Sequence, residues 1–227
     1  MINSDFRKKM ADSWFSYLQS QICKEFEIFE KGKRKFIRRD WYKKNKNEGG
    51  GTSFLLSKGN LFEKVGVNKS TVSGTFSKKF RDKILGAKKD GKYWASGISV
   101  VAHMKNPKIP AIHFNTRFIV TNKNWFGGGI DLTPSFKDKR EEIYFHSKLK
   151  EVCKENKKNY RKYKIWCDKY FFLPHRKEPR GIGGIFFDYE NKNWENDFKF
   201  VRDLGMCFIE ISNSIIAKKL KLRYNDK

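Results

Sequence analysis

The sequence predicts an α+β domain, and three observations carry that reading. Apolar residues recur at three- and four-residue steps from Asn3 to about Glu30, and again from about Asn196 to Lys218, the pattern of amphipathic helices. Between them lie two stretches that alternate as strands do, WASGISVVAHM and AIHFNTRFIVT, separated by the turn-prone KNPKIP. The third is the aromatic supply: 21 Phe, 9 Tyr and 6 Trp in 227 residues can furnish a sizeable core. A chain of this length buries roughly 70–75% of the surface it exposes when unfolded. No internal repeat or long low-complexity linker divides it, so a single domain over residues 1–227 is expected.

In chain order, Phe6, Met10, Trp14, Tyr17, Leu18, Ile22 and Phe26 mark the stripe of the first helix, with Ser4 placed to cap it and Gly32 beyond its end. A basic, glycine-punctuated region follows, in which NKNEGGGTSFLL, LFEKVGVN and STVSGTF read as short strands joined by turns. Lys78 to Lys92 is polar and loop-like. Lys137 to about Lys157 is expected to be helical, with Phe145, Leu149, Val152 and Cys153 as its stripe and His146 on the border. Tyr160, Tyr163, Cys167, Tyr170 and Phe171 mark another helix, and IFFDY reads as an apolar strand. Phe200, Leu204, Cys207, Phe208, Ile211 and Ile215 form the stripe of the last helix.

Composition narrows the classes. No run of 18 apolar residues is present to span a bilayer. The start MINSDFRKKMADSWF has acidic residues and neither an apolar signal region nor a small-residue cleavage site, so a cytoplasmic location is expected. Cys23, Cys153, Cys167 and Cys207 show no C-x-x-C and no metal-ligand spacing, which makes reduced thiols the expectation. The formal net charge of +25 admits nucleic-acid binding, an acidic substrate, or codon bias. Lys is spread along the whole chain beside abundant Asn, Ile and Phe, which favours codon bias and makes charge a weak guide to partner.

Two local patterns suggest a site. In WFGGGIDLTP, Trp125 to Pro134, three successive glycines are costly because each loses more backbone entropy on folding than any other residue. The flanking Trp-Phe pair argues against a flexible Ser/Gly linker, so an ordered loop against which a ligand lies is expected. Strand parity supplies the second pattern. Ser99, Val101 and His103 share one face; Ile112, Phe114, Thr116, Phe118 and Val120 form an apolar face, leaving His113, Asn115 and Arg117 on the other. That is an imidazole, an amide and a guanidinium in a row, with no Lys from Ala111 to Thr121. A solvated sheet face is the ordinary alternative. A lone His beside an apolar stripe, such as His146, is more often a hydrogen-bonded core residue than a ligand.

These blocks, WFGGGIDLTP, SVVAHM with HFNTRF, YKIWCDKYFFLPHRKEPRGIGGIFFD, and the earlier FIRRDW and GGGTSFLLSKGNLFEKVGVN, together resemble the oxygen-dependent coproporphyrinogen III oxidase family of heme biosynthesis, in family order over nearly the whole chain. The resemblance implies a large antiparallel β-sheet with helices packed on its faces. It implies oxidative decarboxylation of two propionates of coproporphyrinogen III to vinyl groups, giving protoporphyrinogen IX. Dioxygen is the co-substrate, carbon dioxide and hydrogen peroxide leave, and no organic cofactor takes part. The family's substrate serine falls on Ser99, its proton donor on His113, and its substrate-contacting tripeptide on Asn115, Thr116 and Arg117. Its four prominent histidines fall on His103, His113, His146 and His175, the only four in this chain. Some members bind a divalent metal ion through them, although the spacing matches no compact ligand motif.

The resemblance also suggests how the substrate is held. Arg117, with Arg176 or Arg180, would anchor propionates, because a guanidinium grips a carboxylate through two parallel hydrogen bonds. Gly127, Gly128 and Gly129 would let the backbone lie against the macrocycle, while Asp131 would accept from pyrrole N–H groups. The other reading of Asp131 is a cap on the turn at Leu132, Thr133 and Pro134. The family pattern continues into an RGRY-x-EFNL strand segment and a Gly-Gly-Arg contact, whereas this sequence stops at KLKLRYNDK. Strands from that segment would pair in the sheet and join a homodimer interface, so a C-terminally truncated domain with an open pocket edge is expected. The alternatives to the enzyme are a basic nucleic-acid-binding protein, which the resemblance disfavours, and an inactive porphyrinogen-binding remnant.

Overall fold

The computed structural model describes residues 4–224, so Asn3, the expected start of the first helix, lies outside them. Helix α1 (Ser4–Phe29) already contains Ser4, and it buries Ala11, Phe15, Leu18, Ile22 and Phe26 completely. This stripe is rotated from the expected one: Phe6 and Tyr17 are half exposed. At about 100° per residue, Tyr17 falls a quarter-turn from Leu18, outside an apolar band that runs through 11, 15, 18, 22 and 26.

Six strands then follow as a meander, β1 (Ile37–Tyr42), β2 (Gly49–Ser57), β3 (Phe62–Thr75), β4 (Lys92–Met104), β5 (Ala111–Val120) and β6 (Asn124–Thr133), each antiparallel to the last. Two expectations change here. LFEKVGVN and STVSGTF belong to the single strand β3, and WFGGGIDLT is strand β6 rather than a loop. Between β3 and β4 the polar segment forms the short helix α2 (Lys78–Arg81) followed by turns.

After β6 the chain leaves the sheet through α3 (Lys139–Glu155), α4 (Tyr160–Tyr170) and a small hairpin of β7 (Phe172–Leu173) and β8 (Glu178–Pro179). Asp138 caps α3 by accepting from Arg140 N and Glu141 N, and Asn159 caps α4 through Lys162 N. The chain returns as β9 (Gly183–Glu190) against β6 and ends in α5 (Trp194–Lys219). The sheet thus has seven strands in the order β1-β2-β3-β4-β5-β6-β9.

Helices α1 and α5 pack on one face of this sheet and on each other, with α3 against α5 and touching β9. Phe114 stacks on Phe208 at 4.8 Å and Phe126 on Phe198 at 5.8 Å. Each fully buried phenyl ring contributes roughly 1.5–3 kcal/mol. Helix α4 runs along β9 and touches both of its faces, Tyr163 meeting Phe187 and Tyr170 stacking on Phe186. Among the described residues no helix is long and apolar enough to cross a membrane.

Candidate functional site

Antiparallel register brings the polar residues together on the face that α1 and α5 leave uncovered. Along β5, burial alternates strictly from Ile112 to Phe118, so His113, Asn115 and Arg117 point away from the core. Their partners on β4 are Val101, Ser99 and Gly97, and on β6 Asp131, Gly129 and Gly127. Ser99, Val101 and His103 are exposed on the same face. Thr116 is not: its side chain is 1% exposed on the core side, its hydroxyl unpartnered among the described residues, so only its backbone borders the face.

One constellation centres on Asp131, a carboxylate only 2% exposed. Arg180 donates Nε to Oδ2 at 3.0 Å and Nη2 to Oδ1 at 2.7 Å. His113 Nδ1 lies 3.4 Å from Oδ2, and its Nε2 lies 3.4 Å from Nε2 of His103. A carboxylate accepts, so Nδ1 of His113 carries a proton, and in the neutral ring the lone pair falls on Nε2. Asp131 is therefore engaged by a guanidinium and an imidazole, not by the backbone of the turn at Leu132, Thr133 and Pro134. Partial burial, with the neighbouring His113 and Lys64, lowers the pKa of His103 below its ordinary value.

The second constellation centres on Asp188, which sequence patterns do not single out. Its carboxylate accepts from Arg117 Nη2 at 2.8 Å, from Trp125 Nε1 at 3.0 Å and from the Tyr189 backbone N at 3.0 Å. A β-bulge aims it: Asp188 and Tyr189 together face Gly127, and Tyr189 adopts a φ of 58° to allow this. The signal that could have found it is a carboxylate directly after the apolar run IFF, where a charged group needs a partner. Arg117 also donates Nη1 to Asn115 Oδ1 at 3.3 Å.

The glycines of β6 now have a physical reason. A Cβ on Gly127 would lie 2.3 Å from Asp188 Oδ1 and 3.0 Å from Arg117 Nη2, and one on Gly129 would lie 2.8 Å from Ile185 O and 3.3 Å from the Phe186 ring. Gly128 faces the core side, where a Cβ would lie 2.4 Å from the Asn115 carbonyl. All three are buried, and each makes room for the protein's own groups.

The four histidines are not brought together. His103 and His113 meet, but His146 on α3 is buried, with Nε2 3.0 Å from Ile182 O and Nδ1 2.8 Å from the Tyr160 hydroxyl. His175 stands exposed in the turn between β7 and β8. Among the described residues no group of three His, Cys, Asp or Glu side chains could hold a metal ion, so this chain does not fit the four-histidine ligand set. Burial lowers the pKa of His146 and pushes the Tyr160 phenol up to about 12. Arg176 is exposed and paired with Glu178 at 2.9 Å. Burial raises all four thiols to about 12, which leaves none as a nucleophile.

Comparison with known proteins adds ancestry to this geometry. The family described as coproporphyrinogen III oxidase matches residues 10–227. The oxygen-dependent coproporphyrinogen-III oxidase of Rickettsia rickettsii is 51% identical over 225 residues, covering 95% of this chain and 80% of its own length. The same-named protein of Rickettsia typhi is 51% identical over 231 residues, covering 97% and 81%.

Proposed function

The chain belongs to the coproporphyrinogen III oxidase family, whose oxygen-dependent reaction in heme biosynthesis it performs, and we propose that the open face around His113, Arg117 and Arg180 is where it does so. The observation that carries this reading is the pair of guanidiniums on the face that presents His113, each fixed by its own aspartate, the buried Asp131 and the half-buried Asp188. A guanidinium offers five N–H donors. Arg117 directs one of them to Asp188 and one to Asn115, and Arg180 directs two to Asp131, so donors remain on both for a propionate.

The macrocycle would lie over β4 and β5, with exposed Val101 as apolar floor and Ser99 and Asn115 as polar contacts. At the reacting propionate, the carboxylate leaves as carbon dioxide, a hydrogen leaves the carbon beside the ring, and dioxygen takes both electrons to become hydrogen peroxide. His113 moves a proton at Nε2. Asp131 keeps Nδ1 protonated and so holds that lone pair toward the face. In this reading Asp131 works through His113 and Arg180.

The test is aerobic turnover of coproporphyrinogen III by the wild type and His113→Ala. A general acid or base contributes typically about 10²–10⁴-fold, so turnover is expected to fall within that range while substrate affinity holds. A variant with intact turnover and only a lower melting temperature would make His113 a structural strand residue.

A further inference from the structure

His146 sits behind the loop that delivers Arg180, and both of its ring nitrogens are in use. A backbone carbonyl can only accept, so Nε2 carries the proton it shares with Ile182 O at 3.0 Å. The lone pair then belongs to Nδ1, where the Tyr160 hydroxyl donates at 2.8 Å. No lone pair remains for a metal ion. Ile182 is held through its backbone N–H as well, which donates to Leu132 O at 3.1 Å, beside Asp131 on β6. Gly181 and Gly183 flank it with φ of 57° and 71°, left-handed conformations that an otherwise unpinned loop of this kind would readily leave. Gly183 N closes the turn on Arg180 O at 3.1 Å.

We propose that His146 is a positioning residue: with Tyr160 it fixes the Ile182 carbonyl, and through it the 180–183 loop, so that Arg180 meets Asp131 as a fork. This rests on the reading of the Arg180 and Asp131 pair as part of the site. It assigns His146 a role that excludes metal ligation.

Steady-state kinetics with coproporphyrinogen III on His146→Gln, His146→Leu, Arg180→Ala and the His146→Leu/Arg180→Ala double variant test it. Gln retains one donor and one acceptor, and its kcat/KM is expected within about threefold of wild type, the scale of one imperfect hydrogen bond. Leu is expected to lower kcat/KM about 10²-fold, as a misplacement of about 1 Å does, and to add nothing to Arg180→Ala because both act through one group. The ring ¹⁵N resonances of His146 are expected to report the Nε2–H tautomer and to stay fixed when Zn²⁺ is added. Additive losses would overturn the route through Arg180 and leave the site reading standing. Normal turnover in Arg180→Ala would overturn the site reading and this inference with it. Gln as damaging as Leu, with Zn²⁺-shifted ring resonances, would make His146 a metal ligand. Where Leu does not fold, Tyr160→Phe decides: a drop in kcat/KM that vanishes in the Arg180→Ala background supports the role, and unchanged kinetics refute it.

Discussion

Arg180 and Asp131, 49 residues apart in sequence, meet through two parallel hydrogen bonds of 3.0 and 2.7 Å. Because the carboxylate is almost wholly buried, the guanidinium does for it what water cannot. Lysine keeps the charge and loses the planar fork. Arg180→Lys is expected to lower the unfolding free energy by about 1–3 kcal/mol in a urea titration, the cost of leaving part of a buried acceptor unpaired. An unchanged midpoint would show that Asp131 does not depend on the fork.

Adjacent glycines of β6 are expected to fail differently. Gly127→Ala pushes into the Arg117 and Asp188 pair, so its main effect is a higher KM for coproporphyrinogen III. Gly128→Ala pushes into the β5 backbone on the core side, so its main effect is a lower melting temperature. Equal KM for both variants would contradict the division of faces.

Arg117→Lys is expected to weaken substrate binding by about 1.5–3 kcal/mol, the worth of a hydrogen bond to a charged group. Asp188→Asn leaves Arg117 in place but loosens its aim, and a smaller rise in KM is expected. Binding measured under anaerobic conditions separates both effects from turnover. Unaltered affinity in Arg117→Lys would remove Arg117 from the propionate contacts.

Burial lowers the pKa of His146 below the ordinary 6.5, with Lys164 adding to the shift while the Ile182 carbonyl, Glu142 and Asp168 oppose it. A depressed folded value means that the unfolded chain binds the proton first. The contribution to stability is complete above pH 6.5 and is lost as pH falls through the folded value. Calorimetry from about pH 7.5 down to about pH 5 is expected to show a smaller fall in melting temperature for His146→Gln than for the wild type. Parallel slopes would show that His146 does not titrate in that window.

Strand parity made His113, Asn115 and Arg117 legible because a period of two is a local property of the chain. The reach of β3 was not, since Lys69 between two short strands read locally as a turn, whereas β2 and β4 pair with it on both sides. The β6 glycines misled for a similar reason. Their entropic cost is local, but the groups that require them include Asp188, which meets Arg117 across 71 residues of sequence. Four histidines at family positions could not be sorted by spacing, because only the fold decides that His103 and His113 share a face while His146 turns to Ile182 and Tyr160.

Arg117 with Asp188 and Arg180 with Asp131 sum to no net charge, although the chain as a whole carries +25. Attraction from a distance and grip at contact therefore reside in different parts of the molecule. A diffusing tetracarboxylate feels the lysine-rich surface first, through a field that physiological salt cuts off within about 8 Å. At the site proposed above it would meet guanidiniums whose charge is already balanced, and what it would gain there is direction: hydrogen bonds at fixed angles from two anchored forks. On that proposal, encounter rate is a property of the whole surface and open to drift in its lysines, while discrimination among polyanions would stay with four side chains.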